Sequence, residues 1–213
     1  DAVVGELRFD ISPNKNALMK NDLAVLNVIA ANKWKRPIYF TAPFGSLGFS
    51  QYLRADGLSY RLVPIQPKPR TSMNDGNVND DVAYKNMMEK FKFGNASTPG
   101  VYFDEENRRH LLTIRQAYAT AAQSMANDGR KEEAKKLLEK VDKGMDTRNM
   151  PYGLVSRDNQ QNVVSLSLVE AAYSAEYKEL GDKIMRDVKR DIDQQISYYA
   201  ALGNMSVQEL MQQ

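Results

Sequence analysis

Residues 111–145 read LLTIRQAYATAAQSMANDGRKEEAKKLLEKVDKGM, and the spacing of their apolar side chains decides the class of the second half of the chain. Leu111, Ile114, Tyr118, Ala121, Ala122 and Met125 recur every three or four residues, which places them on one helix face. Asn127-Asp128-Gly129 breaks the run. Ala134, Leu137, Leu138, Val141 and Met145 then rebuild it, so two antiparallel helices are expected to meet stripe to stripe. Counted from a turn at Gly129, Ala122 lies seven residues before, Tyr118 eleven before and Ala134 five after. These are tetratricopeptide spacings, in which small residues admit close helix approach and a large one fills the adjoining hole.

A weaker copy follows. Gly181 aligns with Ala134, an offset of 181 − 134 = 47, with Glu176 at the turn, Ala172 and Tyr173 near the small and large sites, and Ile184-Met185 on the second helix. The offset exceeds the usual repeat by about 13 residues, and the loop-like stretch 151–162 accommodates the surplus. Ile184, Val188, Ile192, Ile196 and Tyr199 continue a seam along a long last helix ending at Gly203, with Ser206 as cap of a short tail helix.

Toward the N-terminus the pattern changes near residues 95–100. Residues 5–11, GELRFDI, alternate as a half-buried strand does. Asn21-Asp22 offers a cap for a helix through Ala31 or Asn32, apolar on most sides and so expected at the centre of the first core. Pro37 starts an extended run, 36–41, and 58–63 is a second strand stopped by Pro64. Gly45, Gly48 and Gly57 bracket a short helix at 49–54. Residues 67–69 form an exposed connection, and a polar loop at 71–79 leads into a helix at 81–91. The expectation is an α+β fold, mostly α: a small mixed α/β segment, 1–98, packed on a tetratricopeptide-like helical segment, 99–213.

Composition narrows the function. Lys and Arg number 29 against 27 Asp and Glu, interspersed, so no basic stripe for nucleic acid exists. With no cysteine and one histidine, His110, thiol nucleophiles, Cys-ligated zinc and two-His metal sites are excluded. His110 follows two arginines at a helix start and reads as a surface residue. Asp75-x-Asn77-x-Asn79 has the spacing of a calcium loop, but Asp80 stands where glycine is needed and Asn86 where a bidentate Glu is needed. Asp80-Asp81 and Glu105-Glu106 suit helix starts, and Asp191 and Asp193 a solvated helix surface. The acceptor patterns Asn95-Ala96-Ser97 and Asn204-Met205-Ser206 decide nothing. No phosphate-binding or nucleophile-elbow motif occurs; residues 44–48 are a turn. No apolar run reaches the roughly 20 residues of a membrane helix. The start at Asp1 rather than Met leads us to expect a segment of a longer protein.

One block is more specific. Asn21-Asp22-Leu23, Leu26, Ile29-Ala30, Asn32, Trp34 and Arg36-Pro37-Ile38-Tyr39-Phe40 are followed by Leu47-Gly48, Tyr52-Leu53 and Gly57-Leu58-x-Tyr60-Arg61-Leu62-Val63-Pro64. This block resembles the soluble C-terminal region of a bacterial membrane-protein family similar to protein O-mannosyltransferases, glycosyltransferase family 117, once catalogued as a domain of unknown function. The likeness continues through 84–93 into the hairpins, departing at Glu176 and Gly181, where the family commonly has Gly and Ala. It implies a parent chain with a multi-spanning glycosyltransferase core and this domain on the periplasmic side of the inner membrane, anchored by a region outside this chain. In similar enzymes the donor is a lipid-phosphate sugar and the catalytic acid lies in the membrane part. None of those positions maps here, so no catalytic residue, metal or cofactor is expected. The partners expected are the membrane-embedded N-terminal region and a polypeptide or glycan acceptor. A groove between the two segments, lined by Trp34, Arg36, Tyr39, Tyr60 and Arg61, is the expected acceptor site. The alternatives are a tetratricopeptide-like interaction scaffold with no transferase link and a soluble carbohydrate-active enzyme.

Overall fold

Helix α1 (Lys20–Asn32) has its cap position at Met19, two residues before the Asn21-Asp22 signal. Asp22 works from inside the first turn, accepting from the Met19 N–H at 2.8 Å and pairing with Lys15 at 2.8 Å, which accounts for a carboxylate buried to 2% exposure. Past the helix Lys33 and Trp34 both take left-handed backbone conformations (φ 46° and 59°). The Asn32 side chain spans this turn, donating to the Arg36 carbonyl and accepting from its N–H. The computed structural model describes residues 7–13, 15–42, 47–65 and 77–201. Gly45 and Ser46, the 67–69 connection, most of the 71–79 loop with Asp75, and Gly203, Asn204 and Ser206 lie outside the described residues. The architecture is α+β and mostly α, with two compact units, Asp1–Ala83 and Tyr84–Gln213.

In the first unit β1 (Tyr39–Phe40), β2 (Leu53–Ala55) and β3 (Tyr60–Leu62) form an antiparallel sheet of order β1-β3-β2. The register sets Tyr39 opposite Arg61, Arg61 opposite Arg54, and Tyr60 between Phe40 and Ala55. Phe40, Tyr60, Leu62 and Leu53 pack with Leu47, Phe49 and Tyr52 into the core, against Val25, Leu26 and Ile29 of α1. Residues 49–54 are not a single helix: a 3-10 turn, Ser50–Tyr52, leads into β2. The expected strand at 5–11 is not formed among its described residues, 7–11. Its inward alternation survives, since Leu7 and Phe9 pack on the core, but the ladder is replaced by Tyr52, whose hydroxyl accepts from the Arg8 N–H and donates to its carbonyl. Gly48 (φ 83°) sits so close to the Asp10 carbonyl that a Cβ would overlap it. Helix α1 is not central, a correction with a simple cause: three strands of two or three residues offer one small apolar face, which only one side of the helix can cover.

In the second unit the helix α2 (Asp80–Lys85), which begins in the first unit, widens into a π turn, Asn86–Lys90. Its Met87 carbonyl accepts from the Tyr118 hydroxyl (2.8 Å) and the Lys140 ammonium (2.5 Å). Helices α3 (Glu105–Asn127) and α4 (Lys131–Gly144) form one hairpin, α5 (Gln160–Ser174) and α6 (Lys178–Ala201) another. Asp104 caps α3 through the Asn107 N–H. Both hairpins turn alike. Gly129 N–H reaches Ala126 and Arg130 N–H reaches Met125; 47 residues on, Glu176 N–H reaches Tyr173 and Tyr177 N–H reaches Ala172. Glu176 adopts the left-handed conformation (φ 59°) that Gly129 holds freely.

The packing of the second hairpin corrects two expectations. Tyr118 is fully buried, but Tyr173 is 43% exposed, its ring lying over Gly181 and its hydroxyl donating to Asp182. The position 47 residues after Tyr118 is Ser165, buried and donating to the Tyr152 carbonyl. The seam of α6 is buried only at Ile184 and Val188, whereas Ile196 is 62% exposed. At about 1.5 Å rise per residue, α6 outruns α5 by roughly 13 Å, so among the described residues α5 leaves its last turns uncovered.

Candidate functional site

The period-two geometry of β3 separates the five residues picked out by sequence. Tyr39 and Arg61 are cross-strand neighbours on the open face of the sheet, with Arg54 beyond Arg61. Tyr60 faces the other way and packs into the core, where burial raises its phenol above the ordinary tyrosine range. Trp34 and Arg36 are exposed on the turn between α1 and β1.

Sequence reading missed Asp56 and Arg54. Asp56 is buried at the β2–β3 turn, its N–H donating to the Ser59 carbonyl and its Oδ2 accepting from the Tyr39 hydroxyl at 3.1 Å. The Asp56-Gly57 dipeptide was the available signal, a common hairpin turn. Desolvation, then the hydrogen bond to Asp56, raises the Tyr39 hydroxyl, so it stays a protonated donor in neutral solution. Arg54 reaches the Val78 carbonyl with Nε at 3.5 Å. Arg61 is exposed and makes no salt bridge among the described residues. Arg54 and Arg61 are cross-strand partners, and the exposed Arg61 gives this face a donor for a ligand that accepts hydrogen bonds or carries negative charge. A fork of N–H donors beside a half-exposed ring suits a sugar or a polypeptide carboxylate. Nothing on it is placed as a nucleophile with its base.

The most buried charged side chain among the described residues lies elsewhere. Arg115, at 1% exposure, donates from Nη1 to the Pro151 carbonyl (3.1 Å) and from Nη2 to the Met150 carbonyl (2.5 Å), with its guanidinium 4.5 Å from the centre of the Tyr152 ring. The Tyr152 hydroxyl donates to Asp142 (2.7 Å), which Lys183 also meets (2.6 Å). Burial pulls Arg115 down from the ordinary arginine range and pushes Tyr152 up, Tyr152 and Asp142 partly restoring the guanidinium. This network holds the residues between the hairpins, which are therefore packed rather than a loose loop: Met145, Met150 and Tyr152 are all buried. Asp191 belongs with them, accepting from Asn162 and Gln195, so the solvated reading holds for Asp193 alone.

His110 is exposed, 3.3 Å from Glu106, which Arg109 also engages. Asp80-Asp81 and Glu105-Glu106 occupy first helical turns. Among the described residues no group of three or more acidic, histidine or cysteine side chains is gathered for a metal, and no helix is long and apolar enough to cross a membrane.

Residues 1–82 match the family model of TMEM260-associated domain 2. The match ends one residue before the first structural unit does. No curated protein and no solved structure gives a significant match. The family match is compatible with an accessory domain of a TMEM260-like protein.

Proposed function

We propose that this chain is a non-catalytic accessory and recognition domain of a membrane-embedded glycosyltransferase of the protein O-mannosyltransferase-like kind. It lies on the periplasmic side of the inner membrane, anchored by a membrane-embedded region outside this chain that is also its first partner. The match of residues 1–82 to a TMEM260-associated domain carries the reading. Tyr39 and Arg61, adjacent on the open sheet face, contact the acceptor, a glycan or polypeptide, while bond-making occurs in the membrane part.

The test is transfer by the full-length protein. Arg61→Ala with Tyr39→Ala should raise the acceptor KM about tenfold or more at nearly constant kcat, the signature of lost binding. Turnover by the isolated chain, or an upstream coding region without apolar segments of about 20 residues, overturns the reading.

A second reading is favoured by α5, where Val163, Leu166 and Tyr173 leave an exposed apolar stripe at helical spacing. In that reading the tetratricopeptide-like hairpins take a peptide with no link to a transferase. Peptide binding lost in Leu166→Ser, from a chain whose upstream region is soluble, selects it.

A further inference from the structure

Helix α1 is apolar on every side, a pattern ordinarily found in buried helices. Between Asn21 and Asn32 its only polar side chains are Asp22, which is buried, and Asn27. Val25, Leu26 and Ile29 take the arc toward the sheet. That leaves Leu23 (47% exposed), Ala24, Val28 (58%) and Ala31 facing outward. Two residues past the helix Trp34 is 48% exposed, held there by the two consecutive left-handed residues Lys33 and Trp34. A bulky side chain in that conformation is a departure from ordinary backbone geometry, and such departures cluster where a surface is used.

Charge indicates what covers this surface. Lys20, Lys33, Lys35 and Arg36 flank it, all exposed and none in an ion pair among the described residues. The single carboxylate from 19 to 36, Asp22, is buried and engaged by Lys15. A second copy of the same face would set these cations against one another. A bilayer with anionic headgroups accepts both the apolar side chains and the cations, and tryptophan favours its interfacial layer.

We propose that α1 and the turn after it form a peripheral docking surface for an anionic lipid bilayer. Leu23, Val28 and Trp34 enter the headgroup layer while Lys33, Lys35 and Arg36 pair with lipid phosphates. This inference is independent of the transferase reading.

Trp34 is the only tryptophan in the chain, so its emission reports the contact directly. The experiment mixes the full 213-residue chain with vesicles of phosphatidylcholine alone, or with about one-third phosphatidylglycerol. A blue shift and cosedimentation are expected with the anionic vesicles, both weakening as salt rises. The triple variant K33Q/K35Q/R36Q should lower partitioning about a hundredfold, roughly fivefold per cation removed. L23S/V28S should also lower it, through lost apolar contact. Both variants alter exposed side chains, and circular dichroism establishes that they are folded. Failure of the folded parent chain to bind anionic vesicles overturns the proposal, as does binding that the triple variant leaves unchanged. A concentration-dependent dimer dissolved by L23S/V28S, without vesicle binding, assigns the face to a second copy instead.

Discussion

Replacing Arg115 separates the effect of its charge from that of its volume. Arg115→Met keeps most of the stem and removes the guanidinium. The Pro151 carbonyl would keep its bond from Gln161 Nε2 (2.5 Å), so the Met150 carbonyl alone loses its donor. An orphaned buried carbonyl costs about 1–3 kcal/mol, and a desolvated cation over a ring is worth about 2 kcal/mol. Against these stands relief of the guanidinium's own desolvation, several kcal/mol in a site this buried. Asp142 would not be stranded, since it keeps Lys183 and the Tyr152 hydroxyl. The net loss expected for Arg115→Met is therefore small, about 1–2 kcal/mol. Arg115→Ala adds a cavity, for which large-to-small core changes cost a further 2–5 kcal/mol or so. Urea unfolding followed by far-ultraviolet circular dichroism measures both, provided the m-value is unchanged. If the Met variant proves as damaged as the Ala variant, the charge rather than the packed volume holds the segment between the hairpins, and the reasoning fails.

Two glycines should behave in opposite ways. A Cβ at Gly153 would stand 2.3 Å from the Asp187 carbonyl oxygen, so Gly153→Ala should cost roughly 1–3 kcal/mol in overpacking. At Gly181 it would meet only the half-exposed Tyr173 ring at 3.1–3.3 Å, and Gly181→Ala should raise thermal stability by up to about 1 kcal/mol through helix propensity. Burial raises the phenols of Tyr118 and Tyr152, so in the unfolded chain they ionise near pH 10 while in the folded chain they do not. Their contribution is complete below about pH 10 and is lost as pH rises, each approaching a slope of ~1.4 kcal/mol per pH unit; urea midpoints at pH 8 and 11 should diverge less in Tyr118→Phe. The Lys15 hydrogen bond, then the Met19 N–H, holds the Asp22 carboxyl below its usual range, so its contribution is present above about pH 4 and lost in acid. Asp22→Asn should flatten that acid limb, read as the pH dependence of the urea midpoint.

Periodicity carried the helical half because long amphipathic helices repeat one signal many times, and the offset of 47 residues reappears in the backbone hydrogen bonds of both turns. Periodicity misplaces Tyr173 because an aromatic near the equivalent position draws the alignment with Tyr118, whereas the counterpart 47 residues on is Ser165. Arg115 sits four residues after Leu111 and three before Tyr118, squarely on the buried stripe. Its polarity hid it, since nothing local announces two carbonyls arriving from residues 150 and 151. Strands of two or three residues leave almost no alternation to detect, hence the missed β2, whereas the alternation read at 5–11 marks Leu7 and Phe9 packing inward without a ladder among its described residues. At the candidate site, the pairing of Tyr39 with Arg61 was within reach of sequence, but the opposite facing of Tyr60 depends on register, which turn geometry sets.

The segments threaded through the second unit are gripped mainly by the main chain. Lys140 takes the carbonyls of Met87 and Met88, Asn149 those of Ala96 and Thr98, Arg115 those of Met150 and Pro151, and Ser165 that of Tyr152. Every residue type offers the same oxygen, so such clasps respond to the course of the chain and ignore its spelling. Related proteins could rewrite those stretches freely, keeping the gripping side chains and the few positions where no extra atom fits, and still trace the same path.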